Sequence, residues 1–151
     1  MGTEVQAQEV RTEPLNETQL ALLVTDIAHL LQSWGYTSVT VTLGFGCNLP
    51  PEQLWRRREI EAKQIAAFVE RSAEDGVFQF GRCDLHIEDK QATLEFRICH
   101  ESDIHFESID PSQVTKVLEL WLQQGMTLYL SAGPKGNALP KEWKRIDPQS
   151  A

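Results

Sequence analysis

Residues Leu85 to Glu107 read L-H-I-E-D-K-Q-A-T-L-E-F-R-I-C-H-E-S-D-I-H-F-E. Apolar and polar residues alternate on both sides of Asp89-Lys90, the pattern of two half-buried strands joined by a turn. With Asp89 and Lys90 as the whole loop, Leu85 opposes Leu94, Cys83 opposes Phe96, and Ile87 opposes Ala92 on one face. Arg82, Asp84 and His86 then lie on the other face, across from Thr93, Glu95 and Arg97. Asp84 opposite Glu95 is unfavourable, and the diagonals Asp84–Arg97 and Arg82–Glu95 offset it. Upstream, the first strand extends back to Val77. Gly81 marks a bulge there, because the apolar parity switches from Phe78 and Phe80 to Cys83 and Leu85.

The same alternation carries the second strand on to Glu107. Leu94, Phe96, Ile98, His100, Ser102, Ile104 and Phe106 face the core. Glu95, Arg97, Cys99, Glu101, Asp103, His105 and Glu107 face the other way. This sorting makes His100 a hydrogen-bonded core histidine. It makes the opposite face an acidic stripe of Asp84, Glu95, Glu101, Asp103, His105 and Glu107, suited to a basic partner. The alternative is a divalent metal held by His86, Glu101, Asp103 and His105, since carboxylate and imidazole alternate along one strand face. A kink at Glu101-Ser102 would break the parity and let His100 and His105 converge on Asp103 as an acid/base site. Cys99 beside His100 is not a nucleophile–base pair in a regular strand, because adjacent residues point to opposite faces.

Outward from the hairpin the elements follow in order. Asn16 and Gln19 form a capping box before a helix with Leu20, Leu23, Ile27, Leu30 and Trp34 on one stripe, ended by Gly35. Residues 37–43, T-S-V-T-V-T-L, alternate as a strand. Gly44-Phe45-Gly46 closes it, and Pro50-Pro51 leads into a second helix reaching about Ala73. In that helix Arg57–Glu61 and Glu59–Lys63 are i,i+4 pairs. Arg56, Arg57 and Arg58 beside the glycine loop are a weak anion site, without a Walker lysine or a dinucleotide fingerprint. Asp110-Pro111 starts a third helix with Gln113 at the capping-box position, and Met126 to Leu130 alternate as a last strand.

The expected fold class is therefore α+β. An N-terminal helix precedes a β-α-β-β-α-β unit of ferredoxin-like order, an antiparallel sheet with its helices on one face. The expected organisation is a flexible tail over 1–14, one domain over 15–132, and a C-terminal tail or arm over 133–151. Trp143 in that arm is expected to pack back on the domain, the alternative being presentation to a partner.

Composition bounds the function classes. A net charge of −8 with 22 acidic against 14 basic residues speaks against nucleic acid as a partner. The three cysteines are widely spaced and form no C-x-x-C, so neither a disulfide framework nor a thiolate zinc site is indicated, and a cytoplasmic setting follows. The N-terminus is too polar for a secretory signal, and no apolar run reaches membrane-spanning length. These readings point to a small acidic, non-enzymatic binding protein. It acts as an inhibitor or adaptor, in the manner of immunity proteins, and masks a basic protein surface without a cofactor. A metal-dependent enzyme or metal-binding domain is the alternative, and a homodimer paired edge to edge is a further one.

Overall fold

The computed structural model describes residues 5–135 and 141–148. In chain order they form β1 (Gln6–Thr12), α1 (Glu17–Ser33), β2 (Ser38–Leu43), β3 (Arg57–Glu61), α2 (Ile65–Glu74), β4 (Leu85–Glu88), β5 (Leu94–Ile98), β6 (Ile104–Ser108), α3 (Pro111–Gln123), β7 (Leu128–Pro134) and β8 (Lys144–Ile146). The eight strands make one antiparallel sheet in the order β3-β2-β4-β5-β6-β1-β7-β8. Leu23, Ile27 and Leu31 of α1, Ile65 and Val69 of α2, and Val114, Val117 and Trp121 of α3 join Val10, Val41, Ile87, Phe96 and Phe106 in a single core. The fold is α+β, and the core lies between the helices and one face of the sheet. Among the described residues, no helix is long and apolar enough to cross a membrane.

The chain starts with a strand, not a helix, and the ferredoxin-like order is not formed. Three strands account for the difference. Residues 6–12 are not part of a loose tail: β1 pairs with β6 on one side and β7 on the other. Its apolar content is low, so nothing in its pattern announces a central strand. Because β1 runs antiparallel to both neighbours, β6 and β7 run parallel and need the α3 crossover to join them.

The second correction is β3. Arg57 to Glu61 is an edge strand on β2 rather than the first turns of a helix. The Arg57–Glu61 and Glu59–Lys63 pairs do not form; Glu59 instead meets Lys90 at 3.0 Å, and Glu61 meets Lys63 at 3.2 Å. Helix propensity in R-R-R-E-I-E loses to tertiary pairing. The dense charge suits an edge that must not recruit another strand. The third correction is at the C-terminus, where β7 runs on to Pro134 and β8 pairs with it. The arm thus adds residues 133–134 and 144–146 to the sheet, and the Arg11 guanidinium sits 4.8 Å from the Trp143 ring. The remainder of the two expected tails, residues 1–4, 136–140 and 149–151, lies outside the described residues.

The central hairpin forms with its faces as expected but with a different register. Leu85 pairs with Ile98 and Ile87 with Phe96, so the loop is Asp89 to Thr93. The slip is even in number, and an even slip keeps every side chain on its face. Asp84 consequently does not oppose Glu95; Glu88 does. Residues upstream of Leu85 are loop, and Gly81, at φ 81°, belongs to a turn rather than a bulge. Asp89 sets the loop length. Its buried carboxylate accepts from the Thr93 and Leu94 backbone N–H groups at 2.7 and 3.1 Å and from the Thr93 hydroxyl. We expect Asp89→Ala to lower stability by about 2–3 kcal/mol in urea denaturation, the effect of losing charge-assisted bonds to buried donors.

The capping box of α1 is present in both directions, Asn16 and Gln19 each bonding the other's backbone N–H. Asp110 caps α3, but Gln113 does not close a box: it accepts from the Ser108 hydroxyl at 2.6 Å instead.

Candidate functional site

Cross-strand partners share a face, so the registers define rows across the sheet face turned away from the helices. One row is Arg57, Thr42, His86, Arg97, His105, Arg11, Tyr129 and Arg145. Two residues along each strand, the next row is Glu59, Thr40, Glu88, Glu95, Glu107, Glu9 and Ser131. This face is a cationic line beside an acidic line, not a single acidic stripe.

Most of that charge is paired internally. Lys141 from the arm reaches Glu9 and lies 3.7 Å from Glu107, beside a cavity of about 320 Å³ that both acids line. His86 Nδ1 donates to Glu95 at 3.2 Å. His105 is held on both sides, with Nδ1 at 2.8 Å from Glu9 and Nε2 at 3.0 Å from Asp103. A carboxylate only accepts, so both ring nitrogens carry protons and the ring is an imidazolium. Burial alone would lower its pKa, but the bonds to Asp103, Cys99 and Glu9 outweigh burial and raise it to about 10. Burial likewise opposes the ionisation of Glu9, and the His105 and Lys141 contacts overcome it and hold that carboxyl at about 2. In this arrangement both His105 nitrogens donate, and neither offers a lone pair.

The strand expected to run from Leu94 to Glu107 breaks at a tight turn. Cys99 N–H bonds Asp103 O at 2.9 Å, Ser102 N–H bonds Cys99 O at 3.1 Å, and Ser102 takes φ 67°. The turn corrects the position of His100, which is not in the core: its side chain is 39% exposed. Asp84 orients it, accepting from the His100 backbone N–H at 2.6 Å and from ring Nδ1 at 2.9 Å. Cys99 Sγ lies 3.8 Å from the same Nδ1. Phe45, itself exposed, rests against the ring at 4.7 Å between centroids. Glu101 Oε1 stands 3.8 Å from Nε2 on the outer side.

Asp84, Cys99 and His100 thus bring one carboxylate oxygen, one sulfur and one imidazole nitrogen within 4.8 Å of one another. Cys99 is also in a second such group with Asp103 and His105. Asp103 is buried, and its Oδ1 has no hydrogen-bond partner among the described residues. A buried carboxylate oxygen without a donor marks a place that favours a cation.

The kink at Glu101-Ser102 is real, but His100 and His105 do not converge into one acid/base site; each has its own carboxylate, and Cys99 stands between them. The set His86, Glu101, Asp103 and His105 is not brought together either, since Arg97 separates His86 from His105 and Glu101 is on the exposed turn. Of the basic triplet, Arg57 is on the open face; Arg58, next to it in the strand, points to the opposite face, and Arg56 precedes the strand. Cys99 and His100 as ligands were missed because strand parity separates neighbours, and only a turn reunites them. Cys47 and Cys83 are buried, and burial, then the neighbouring Cys83, pushes the Cys47 thiol up to about 12, so it stays protonated. Compared with protein-family models, with curated proteins and with solved structures, the chain shows no significant match to any.

Proposed function

We propose that the protein is a transition-metal-binding domain whose ion, of the zinc class, is held by Asp84, Cys99 and His100. The observation that carries this reading is the trio of oxygen, sulfur and nitrogen donors at the hairpin turn. Borderline metals favour such mixed sets, and three protein ligands leave a fourth position open. Tetrahedral zinc bond lengths require edges of about 3.3 Å between nitrogen and oxygen and about 3.6 Å between nitrogen and sulfur. The His100 Nδ1 distances of 2.9 Å to Asp84 and 3.8 Å to Cys99 need only small adjustments. The metal would replace the Nδ1 proton, leaving Nε2–H to face Glu101, the kind of outer carboxylate that steadies a ligating histidine. The unpartnered Asp103 Oδ1 adds negative potential next to Cys99.

Cobalt titration of the chelator-stripped protein tests this. One equivalent should produce a thiolate-to-cobalt charge-transfer band, and Cys99→Ser should abolish it while leaving the melting temperature of the metal-free protein nearly unchanged. A protein that shows no band and retains no zinc after purification is not a metal protein of this kind. The adaptor reading has less support: of the six residues of the proposed acidic stripe, Asp103, His105 and Glu107 are largely covered and internally paired, and Asp84 and Glu95 hold histidines. Glu101, at 72% side-chain exposure, is the one that stands clear.

A further inference from the structure

The other end of the cationic row has features that the metal reading does not use. Thr42 lies directly opposite Arg57 on one side and His86 on the other, and His86 lies opposite Arg97. These four residues therefore form a continuous line on the open face. Two of its atoms are buried and unsatisfied, Thr42 Oγ1 and His86 Nε2. Thr42 is only 7% exposed, so its hydroxyl has little access to bulk water. His86 Nδ1 is already committed as a donor to Glu95, so Nε2 is left as an acceptor, suited to an N–H or O–H on the ligand's ring rather than to its oxyanion. At either end of the line is an arginine with no ion pair among the described residues.

Trp55 lies alongside. Its ring is 5.6 Å from the His86 ring and so close above Gly44 that a Cβ there would meet it at 2.6 Å. Gly44 is what lets the indole lie down on the sheet. Trp55 is nevertheless 56% exposed and sits at φ 64°, a left-handed conformation that a bulky residue adopts only where its surroundings impose it. One large exposed aromatic beside two arginines with no ion pair among the described residues, and beside orphan polar atoms, has the composition of a small-ligand site.

We propose that the Arg57–Thr42–His86–Arg97 line, with Trp55 beside it, binds a small organic oxyanion, a carboxylate or phosphate ester, carried on a flat ring. The guanidinium groups match a planar or tetrahedral oxyanion through paired N–H donors, the Thr42 hydroxyl supplies a further donor, and the exposed indole face receives the ring. Glu88 and Glu95 lie one row away, about 7 Å along the strands. The Glu95 carboxylate itself reaches into the line, 3.2 Å from His86 Nδ1, so an anion is held toward the two arginines and away from that side of His86.

Calorimetric titration of the chelator-treated full-length protein tests this separately from metal binding. Benzoate and adenosine monophosphate are the anionic probes, and benzamide and adenosine are their neutral counterparts. At least one anion should bind at millimolar concentration while its neutral counterpart does not. Its affinity should fall at least about tenfold in Arg97→Gln, the loss of a charge-assisted bond, and fall again in Trp55→Ala, with Arg97→Gln melting as the parent does. Absence of binding by both anions, equal binding by the neutral analogues, or unchanged affinity in either variant overturns the proposal.

Discussion

A chain lacking residues 1–12 is expected not to fold cooperatively. Those residues include β1, which stands between β6 and β7 and pairs with both. Without it the sheet separates: among the described residues β1 is the only strand that pairs β7 and β8 to the other five strands, and the α3 crossover has no strand to span. Val10 and Thr12, both fully buried, leave a gap against Phe106 and Leu128. The Thr12 hydroxyl also accepts from Ile104 N–H at 3.1 Å, a bond that closes the start of β6. Glu9 goes too, and a buried imidazolium at His105 loses one of its two carboxylates. Far-ultraviolet circular dichroism should show loss of the sigmoidal melt. A truncated chain that melts cooperatively near the parent temperature would mean that β1 is dispensable and that the sheet closes without it.

Replacing His105 by leucine is expected to destabilise the fold by about 3–5 kcal/mol, the range for removing one member of a buried ion group. Glu9 and Asp103 then face each other across an apolar side chain with no cation between them. The effect has a pH signature. The folded pKa of His105, about 10, lies above its ordinary 6.5, so its contribution is fully present below 6.5 and fades as pH rises through about 10. Glu9 behaves in the opposite sense: its folded value of about 2 lies below 4.5, so its contribution is present above 4.5 and is lost as pH falls through about 2. Both shifts describe one contact and count once. Urea denaturation in chelator should therefore show the largest gap between parent and His105→Leu near pH 5–6 and a narrowing gap toward pH 10. A gap that stays constant from pH 5 to pH 10 would show that His105 contributes by packing alone.

Local signals did well wherever one face of an element had to be apolar. The stripe of α1, its capping box, the start of α3 at Asp110-Pro111 and the alternation of β2, β4 and β5 all read directly from residue spacing. Even the misplaced hairpin register left the side chains of β4 and β5 on their proper faces, because parity survives a slip of even length. Where the local signal is weak or misleading, residue spacing does not define the element. β1 carries two apolar residues and two charged ones among its seven, so it looked like a tail. β3 has the composition of a salt-bridged helix.

The turn at Cys99 to Asp103 matters most for the site, since a single strand from Leu94 to Glu107 would put Cys99 and His100 on opposite faces. Nothing in C-H-E-S-D contains the glycine or Asn-Gly signal of a tight turn; Ser102 takes up the left-handed position instead. The donor set of the proposed metal site therefore became visible only after the chain had turned.

By itself the sequence determined the class of the fold, the first and third helices with their apolar faces, and which side of β2, β4 and β5 meets the core, because these depend on side-chain periodicity within a few residues. Tertiary structure alone decided that Glu9 would reach His105 across 96 positions of sequence, that Asp84 would meet His100, and that the charges of the open face would form opposing rows. Those outcomes depend on which strands become neighbours and in what register. Neighbours are chosen by the burial of the whole core, and no single segment records the result.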